Sequence, residues 1–173
     1  GGGVRGAGRS GLRLVHRDLA GQISNCSISK CGSWPAYVMA NAVGVLGDGL
    51  SFSDNGINRI GVNCSLNPDV IVSQSWLGHG VPYDLAADPS ARVVTVASTA
   101  ILTIEPGVVV QDGGFVVYGG LNIQGTPDEG VTLTASSQTP GDTPGISFVP
   151  GACGMIQWAR IKYAGTAVSI DGC

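Results

Sequence analysis

The sequence predicts an all-β solenoid, a chain wound into stacked coils of short strands. Three observations carry this. Within 102–133 the apolar-polar-apolar triplet Leu102-Thr103-Ile104 returns as Leu121-Asn122-Ile123, and Ile146-Ser147-Phe148 follows at a somewhat longer interval. Corners come soon after each: Pro106-Gly107, Gly125-Thr126-Pro127 and Pro150-Gly151. A strand-and-corner unit of about 20 residues cannot bury its own apolar face, so the units must stack. The second observation is composition: 43% apolar, only 12% charged, and 28 Gly in 173 residues. That is too hydrophobic for a disordered chain, and Gly has no G-X-Y period that would signal collagen. The third is the lack of any ten-residue window that joins helical periodicity to good helix formers. The best local candidate, Asp84-Leu85-Ala86-Ala87, is cut off at once by Asp88-Pro89.

Taken in order, residues 1–11 are rich in Gly and Arg without periodicity and read as a flexible arm, with a single β domain over 12–173. Leu12-Arg13-Leu14-Val15 is the first strand. A second repeat then appears. Ile23-Ser24-Asn25-Cys26-Ser27-Ile28 aligns with Phe52-Ser53-Asp54-Asn55-Gly56-Ile57, and Val38-Met39-Ala40-Asn41-Ala42-Val43 falls between with the same spacing of apolar ends. Apolar residues five apart have opposite parity on one strand, so both can face a core only if the chain bends between them. Asn25, Asn41 and Asn55 suit that bend, because Asn tolerates the left-handed conformation. Val70-Ile71-Val72 reads as a strand and residues 76–89, with Gly78, Gly80, Pro82 and Pro89, as a longer excursion. Strands resume at 92–96 and 100–104 and continue through Phe115-Val116-Val117-Tyr118, 131–134, 146–149, 155–158, 161–163 and 168–170.

The block Leu102-Thr103-Ile104-Glu105-Pro106-Gly107-Val108, then Gly119-Gly120-Leu121-Asn122-Ile123-Gln124-Gly125-Thr126, then Val131-Thr132-Leu133-Thr134 resembles the right-handed parallel β-helix segments of large bacterial secreted and cell-surface proteins. Trp76 and Gly80-Val81-Pro82-Tyr83 match the usual lead-in, and Ile161-Lys162-Tyr163-Ala164-Gly165 the usual exit. The likeness spans 75–165. It lacks the Trp that the family pattern places after the corner at Thr143-Pro144-Gly145. The resemblance implies a right-handed parallel β-helix, here of roughly seven to nine coils at about 4.8 Å per coil. Its interior is expected to hold Ile23, Ile28, Phe52, Ile57, Leu102, Ile104, Leu121, Ile123, Val131, Leu133, Ile146, Phe148 and Ile161.

Net charge is −3 but uneven. Residues 1–60 carry six basic and three acidic side chains, leaving three basic and nine acidic for 61–173. The basic end is sparse and poor in aromatics, so it does not read as a nucleic-acid surface. No apolar run is long enough for a transmembrane helix. Five cysteines without a CxxC, and His16 far in sequence from His79, argue against zinc and for an oxidising, extracellular or cell-surface setting. An odd cysteine points to an intermolecular bond, with Cys173 of one copy linking to Cys26 or Cys31 of the next.

Catalytic patterns are sparse. The acidic side chains Asp48, Asp54, Asp84, Asp88, Asp112, Asp128, Glu129 and Asp142 mostly flank Gly or Pro, where Asp is an ordinary turn residue. No G-x-S-x-G elbow occurs, and no cofactor or metal motif is found. Asn25-Cys26-Ser27 and Asn63-Cys64-Ser65 fit the spacing of N-glycosylation acceptors. Trp34, Trp76, Tyr118 and Trp158 are candidates for sugar stacking, against the plainer role of filling the coil. Two functions follow. One is an extracellular structural unit, a stalk, spacer or filament subunit that self-associates end to end. The other is a carbohydrate-binding or polysaccharide-cleaving module with glycan partners.

Overall fold

The computed structural model describes residues 10–16, 19–66 and 69–171. Most of the 1–11 arm, and Cys173, lie outside them. The chain forms a parallel β-solenoid of about six turns. Its long sheet stacks seven strands, one from each successive coil: β1 (Leu12–Leu14), β3 (Ala36–Met39), β5 (Ile60–Asn63), β7 (Tyr83–Asp84), β10 (Val109–Gln111), β13 (Val131–Thr134) and β16 (Ala159–Ile161). A second sheet stacks β8 (Val93–Val96), β11 (Gly114–Val117), β14 (Ile146–Phe148) and β17 (Val168–Ile170). A third stacks β6 (Gln74–Trp76), β9 (Ile101–Ile104), β12 (Gly120–Gln124) and β15 (Cys153–Gln157). In the first two coils β2 (Ser27–Ser29) pairs only with β4 (Ser51–Ser53).

Register explains the core. In the long sheet Leu12, Ala36, Ile60, Tyr83, Val110, Leu133 and Ile161 stack directly above one another. The first two steps, from Leu12 to Ala36 and from Ala36 to Ile60, are equal in length, and later ones vary. The steps in the long sheet exceed the period of about 20 residues read from the triplets, so the coils number about six, close to but under the seven to nine expected. In the third sheet Leu102 stacks on Leu121 and Ile104 on Ile123, as the first two triplets predict. The third triplet does not continue that column. Ile146-Ser147-Phe148 pairs with Phe115-Val116-Val117 in the second sheet, and Gly154-Met155-Ile156 takes the place above Leu121-Asn122-Ile123.

The expected interior holds at most positions. Phe52, Leu102, Ile104, Leu121, Ile123, Val131, Leu133, Ile146 and Phe148 are buried, and Ile23, Ile28 and Ile161 pack against them half-buried. Ile57 is the exception. It lies in a tight turn in which the Arg59 amide donates to its carbonyl, and Ile60 enters the core instead. The cause is register: Phe52 pairs with Ile28, so aligning it with Ile23 is out of phase with the coil. The bends also differ from expectation in part. Asn25 takes φ 54°, but in the second coil the left-handed residue is Asp54, stacked above the equally left-handed Lys30, and not Asn55, while Asn41 sits in a short 3-10 helix, Ala40–Val45. Both of these Asn side chains tie coils together. Asn55 Oδ1 accepts from the Cys31 amide (3.0 Å) and its Nδ2 donates to the Ile28 carbonyl (3.2 Å). Asn41 Oδ1 accepts from the amides of Ile71 (2.8 Å) and Val72 (3.2 Å). Val70, expected in a strand, keeps only a single bridge, to Val96.

Candidate functional site

Three features of the surface stand out. The first is the last coil. There β15, β16 and β17 are the terminal strands of all three sheets, so one edge of each strand is unpaired among the described residues. Side chains that would be interior in an earlier coil are uncovered here. Ile170 continues the Val96-Val117-Phe148 column and is 69% exposed, and Val168 continues Val94-Phe115-Ile146 and is 38% exposed. They line an apolar groove of about 470 Å³ with Phe148, Ala152, Gly154 and Ile156. The sheet pattern that buries these positions in coils four and five leaves them exposed in the last of the described coils.

The second feature is a polar cluster on the outer face of the long sheet. Arg59 Nη1 donates to Asp84 Oδ2 (3.1 Å) and to Asp112 Oδ2 (3.5 Å), so one guanidinium joins three successive coils. Asp112 Oδ1 then accepts from the Ser136 amide of the coil beyond (2.6 Å). Burial pushes the Asp84 carboxyl above its usual range, opposed by the Ala86 amide and by Arg59. Nearby, Asn63 Nδ2 donates to Tyr37 Oη (2.9 Å) and to Asp88 Oδ2 (3.4 Å). Asp88 is held below the usual carboxylate range by the hydroxyl and amide of Ser90. Of the eight acidic candidates, only Asp84 and Asp112 thus share a partner, and that partner is an arginine which engages both. The arrangement works as a clamp between coils. Among the described residues no group of His, Cys, Asp or Glu is placed to hold a metal ion.

The third feature is the set of aromatics and cysteines. Trp76 corrects the sequence reading: it is 0% exposed, inside the coil, packed on Tyr83 (ring centroids 5.2 Å apart) and Phe115 (5.9 Å), and cannot stack on a sugar. Tyr118 and Trp158 are exposed at different corners, after β11 and after β15. Trp34 precedes β3, five strands from β16 in the long sheet, about 24 Å away. The four do not gather on one face. Cys31 and Cys64 are buried, Cys26 and Cys153 exposed, and all four are free thiols with no pair at bonding distance. Burial, followed by the charges of Asp69, Asp88 and Asp84, pushes the Cys64 thiol far up, so it is an inert core group.

No protein-family model, curated protein or solved structure matches the chain.

Proposed function

We propose that this chain is a structural unit of an extracellular β-solenoid, serving as a stalk, spacer or filament subunit that assembles end to end. The observation that carries this is the last of the described coils, where, among the described residues, three strand edges and an apolar groove face the same way. The strand pairings that lead into that coil are parallel, so an added coil must enter in the same sense: the first coil of one copy on the last coil of another. At the opposite end Leu12, Leu14, Ile23 and Ile28 pack against the core and are only half-buried. Such a contact is heterologous, and heterologous contacts that do not close produce filaments. The excess of basic side chains in residues 1–60 and of acidic ones after them favours head-to-tail encounter, although Arg160 and Lys162 lie near the far end. The likeness to bacterial secreted and cell-surface β-helix segments supports the extracellular setting.

The test is assembly of wild type against Val168→Lys/Ile170→Lys. Both side chains are exposed, so the charges cost the fold little while blocking the edge. Sedimentation velocity should show concentration-dependent growth in wild type, with rods in negative stain, and monomer in the variant. Wild type that stays monomeric at every concentration removes the assembling-subunit reading. A glycan array run in parallel addresses the carbohydrate reading, which no grouped aromatic face supports.

A further inference from the structure

We propose that the groove beneath β6 binds an uncharged, extended peptide strand, which pairs with the main chain of Ser75. The groove measures about 600 Å³ and draws its lining from three coils. Residues 19–22 of the first coil form one wall, and residues 72–75 of the third, with Leu77, form the other. Between them the second coil does not run as a strand. It is recessed as the 3-10 helix, whose Gly44 and Val45 form the floor. The walls belong to coils nominally two spacings apart, about 10 Å, with the second coil between them as the floor, laddered to the first at Ile23 and Leu46.

The main chain supports a peptide over other occupants. β6 is the edge strand of the third sheet and pairs only with β9. The Trp76 carbonyl accepts from the Glu105 amide, which fixes the side of β6 that faces β9. Alternate residues of a strand direct their N–H and C=O to opposite sides. The groups of Gln74 and Trp76 thus face β9, and those of Ser75, between them in the strand, face the groove. The outward main chain of Ser75 has no hydrogen-bond partner among the described residues. The side chains that usually satisfy such an edge are committed elsewhere. Gln74 turns inward, accepting from the Gly44 amide (2.7 Å) and donating to the Ala40 carbonyl (2.8 Å). Ser73 Oγ accepts from the Ile101 amide (2.9 Å).

The lining sets the side-chain preference. None of its residues is charged, and Leu19, Val45, Val72 and Leu77 give it apolar contact area. An extended segment with small or medium apolar residues at every second position would place those on the floor and pair its backbone with Ser75, the strand-addition mode of peptide recognition. A charged segment would lose hydration without gaining a partner.

The experiment pans a phage-displayed library of short random peptides on the full chain and measures enriched peptides by fluorescence anisotropy. Enriched sequences should be uncharged, with alternating apolar residues. N-methylation of alternate peptide amides should abolish binding to the wild-type protein. Ser75→Pro removes the donor that faces the groove and leaves the β9 ladder intact, since that N–H takes no part in it. It should weaken binding by about tenfold or more while the melting temperature stays near that of wild type. No enrichment over a blank surface, equal binding by the N-methylated peptides, or peptides that protect only the last coil from hydrogen exchange would each overturn the proposal.

Discussion

Replacing Ile123 tests the inward and outward faces most directly. Ile123 is 0% exposed and stands between Ile104 below and Ile156 above, with Leu121 two residues away on the same face. A change to Ala removes three carbons from a column that the backbone ladders hold at fixed spacing, so collapse into the gap is limited. The expected loss is about 3–4 kcal/mol. Ile123→Asp adds a carboxyl with no donor in reach and should cost more, several kcal/mol in total, even if the acid takes up a proton to avoid burial as an anion. Asp128 is exposed at the corner that follows, between Pro127 and Gly130, so Asp128→Asn should cost under about 0.5 kcal/mol. At this chain length each kcal/mol corresponds to about 2–4 °C in the melt. Thermal melts followed by far-UV circular dichroism should therefore show a drop of about 10 °C for Ile123→Ala, a larger one for Ile123→Asp, and almost none for Asp128→Asn. Hydrogen exchange should quicken first in β9, β12 and β15, because a solenoid transmits damage to adjacent coils. Equal losses in the interior and corner variants would mean that the assigned faces are wrong.

Three further outcomes are expected. Arg59→Met leaves the buried Asp84 carboxyl without its cation and should destabilise by about 1–3 kcal/mol in denaturant titration, with part of the loss recovered as pH falls and Asp84 is protonated. Asn55→Ala removes both bonds to the first coil and should cost about 1–3 kcal/mol, with exchange quickened at the Cys31 amide. Burial lowers the affinity of His79 for a proton, so the unfolded chain protonates first. Stability is then full above about pH 6.5, the unfolded value, and falls as pH drops below it; His79→Phe should flatten that slope in pH-dependent melts.

Much of the fold is legible in the sequence because register in a solenoid is written locally. Leu102-Thr103-Ile104 and Leu121-Asn122-Ile123 carry the same alternation at the same distance from a Gly-containing corner, and they do stack. Where the alternation and its corner return after a longer connection, the reading fails. Ile146-Ser147-Phe148 has the right pattern but follows a long connection, and it belongs to another sheet. Ile57 has the right apolarity but sits past Asp54, whose left-handed φ turns the chain before Asn55. The surface is less legible, since no pattern in the sequence says which corners coincide in space. Trp34, Tyr118 and Trp158 share a residue type, whereas stacking order separates them. The Arg59, Asp84 and Asp112 clamp joins residues 25 and 53 positions apart, and only the coil length reveals it. The 3-10 helix escapes a sequence reading because Ala40-Asn41-Ala42-Val43 has one turn of helix at most and no cap signal.

That short helix governs more of the molecule than its length suggests. Among the sheets, only the long one runs unbroken from the second coil to the third, through β3 and β5. Elsewhere at this junction β4 and β6 do not pair, because the second coil has left the path that later coils follow. The remaining bonds across it come from side chains: Gln74 to Ala40 and Gly44, Asn41 to Ile71 and Val72, and His79 to the Leu46 carbonyl. Behind them Phe52, His79, Tyr83, Trp76 and Phe115 pack edge to face or tilted, filling the interior where the contour changes. The substitution of side-chain bonds for a ladder has two consequences with one cause. It makes this junction depend on a buried imidazole whose Nε2 has no partner among the described residues, and whose affinity for a proton burial lowers, so acid weakens it. It also leaves the outer edge of β6 open, so the groove exists. A strand docked there would supply the ladder that the second coil withholds, and would be expected to stabilise the junction by which it is bound.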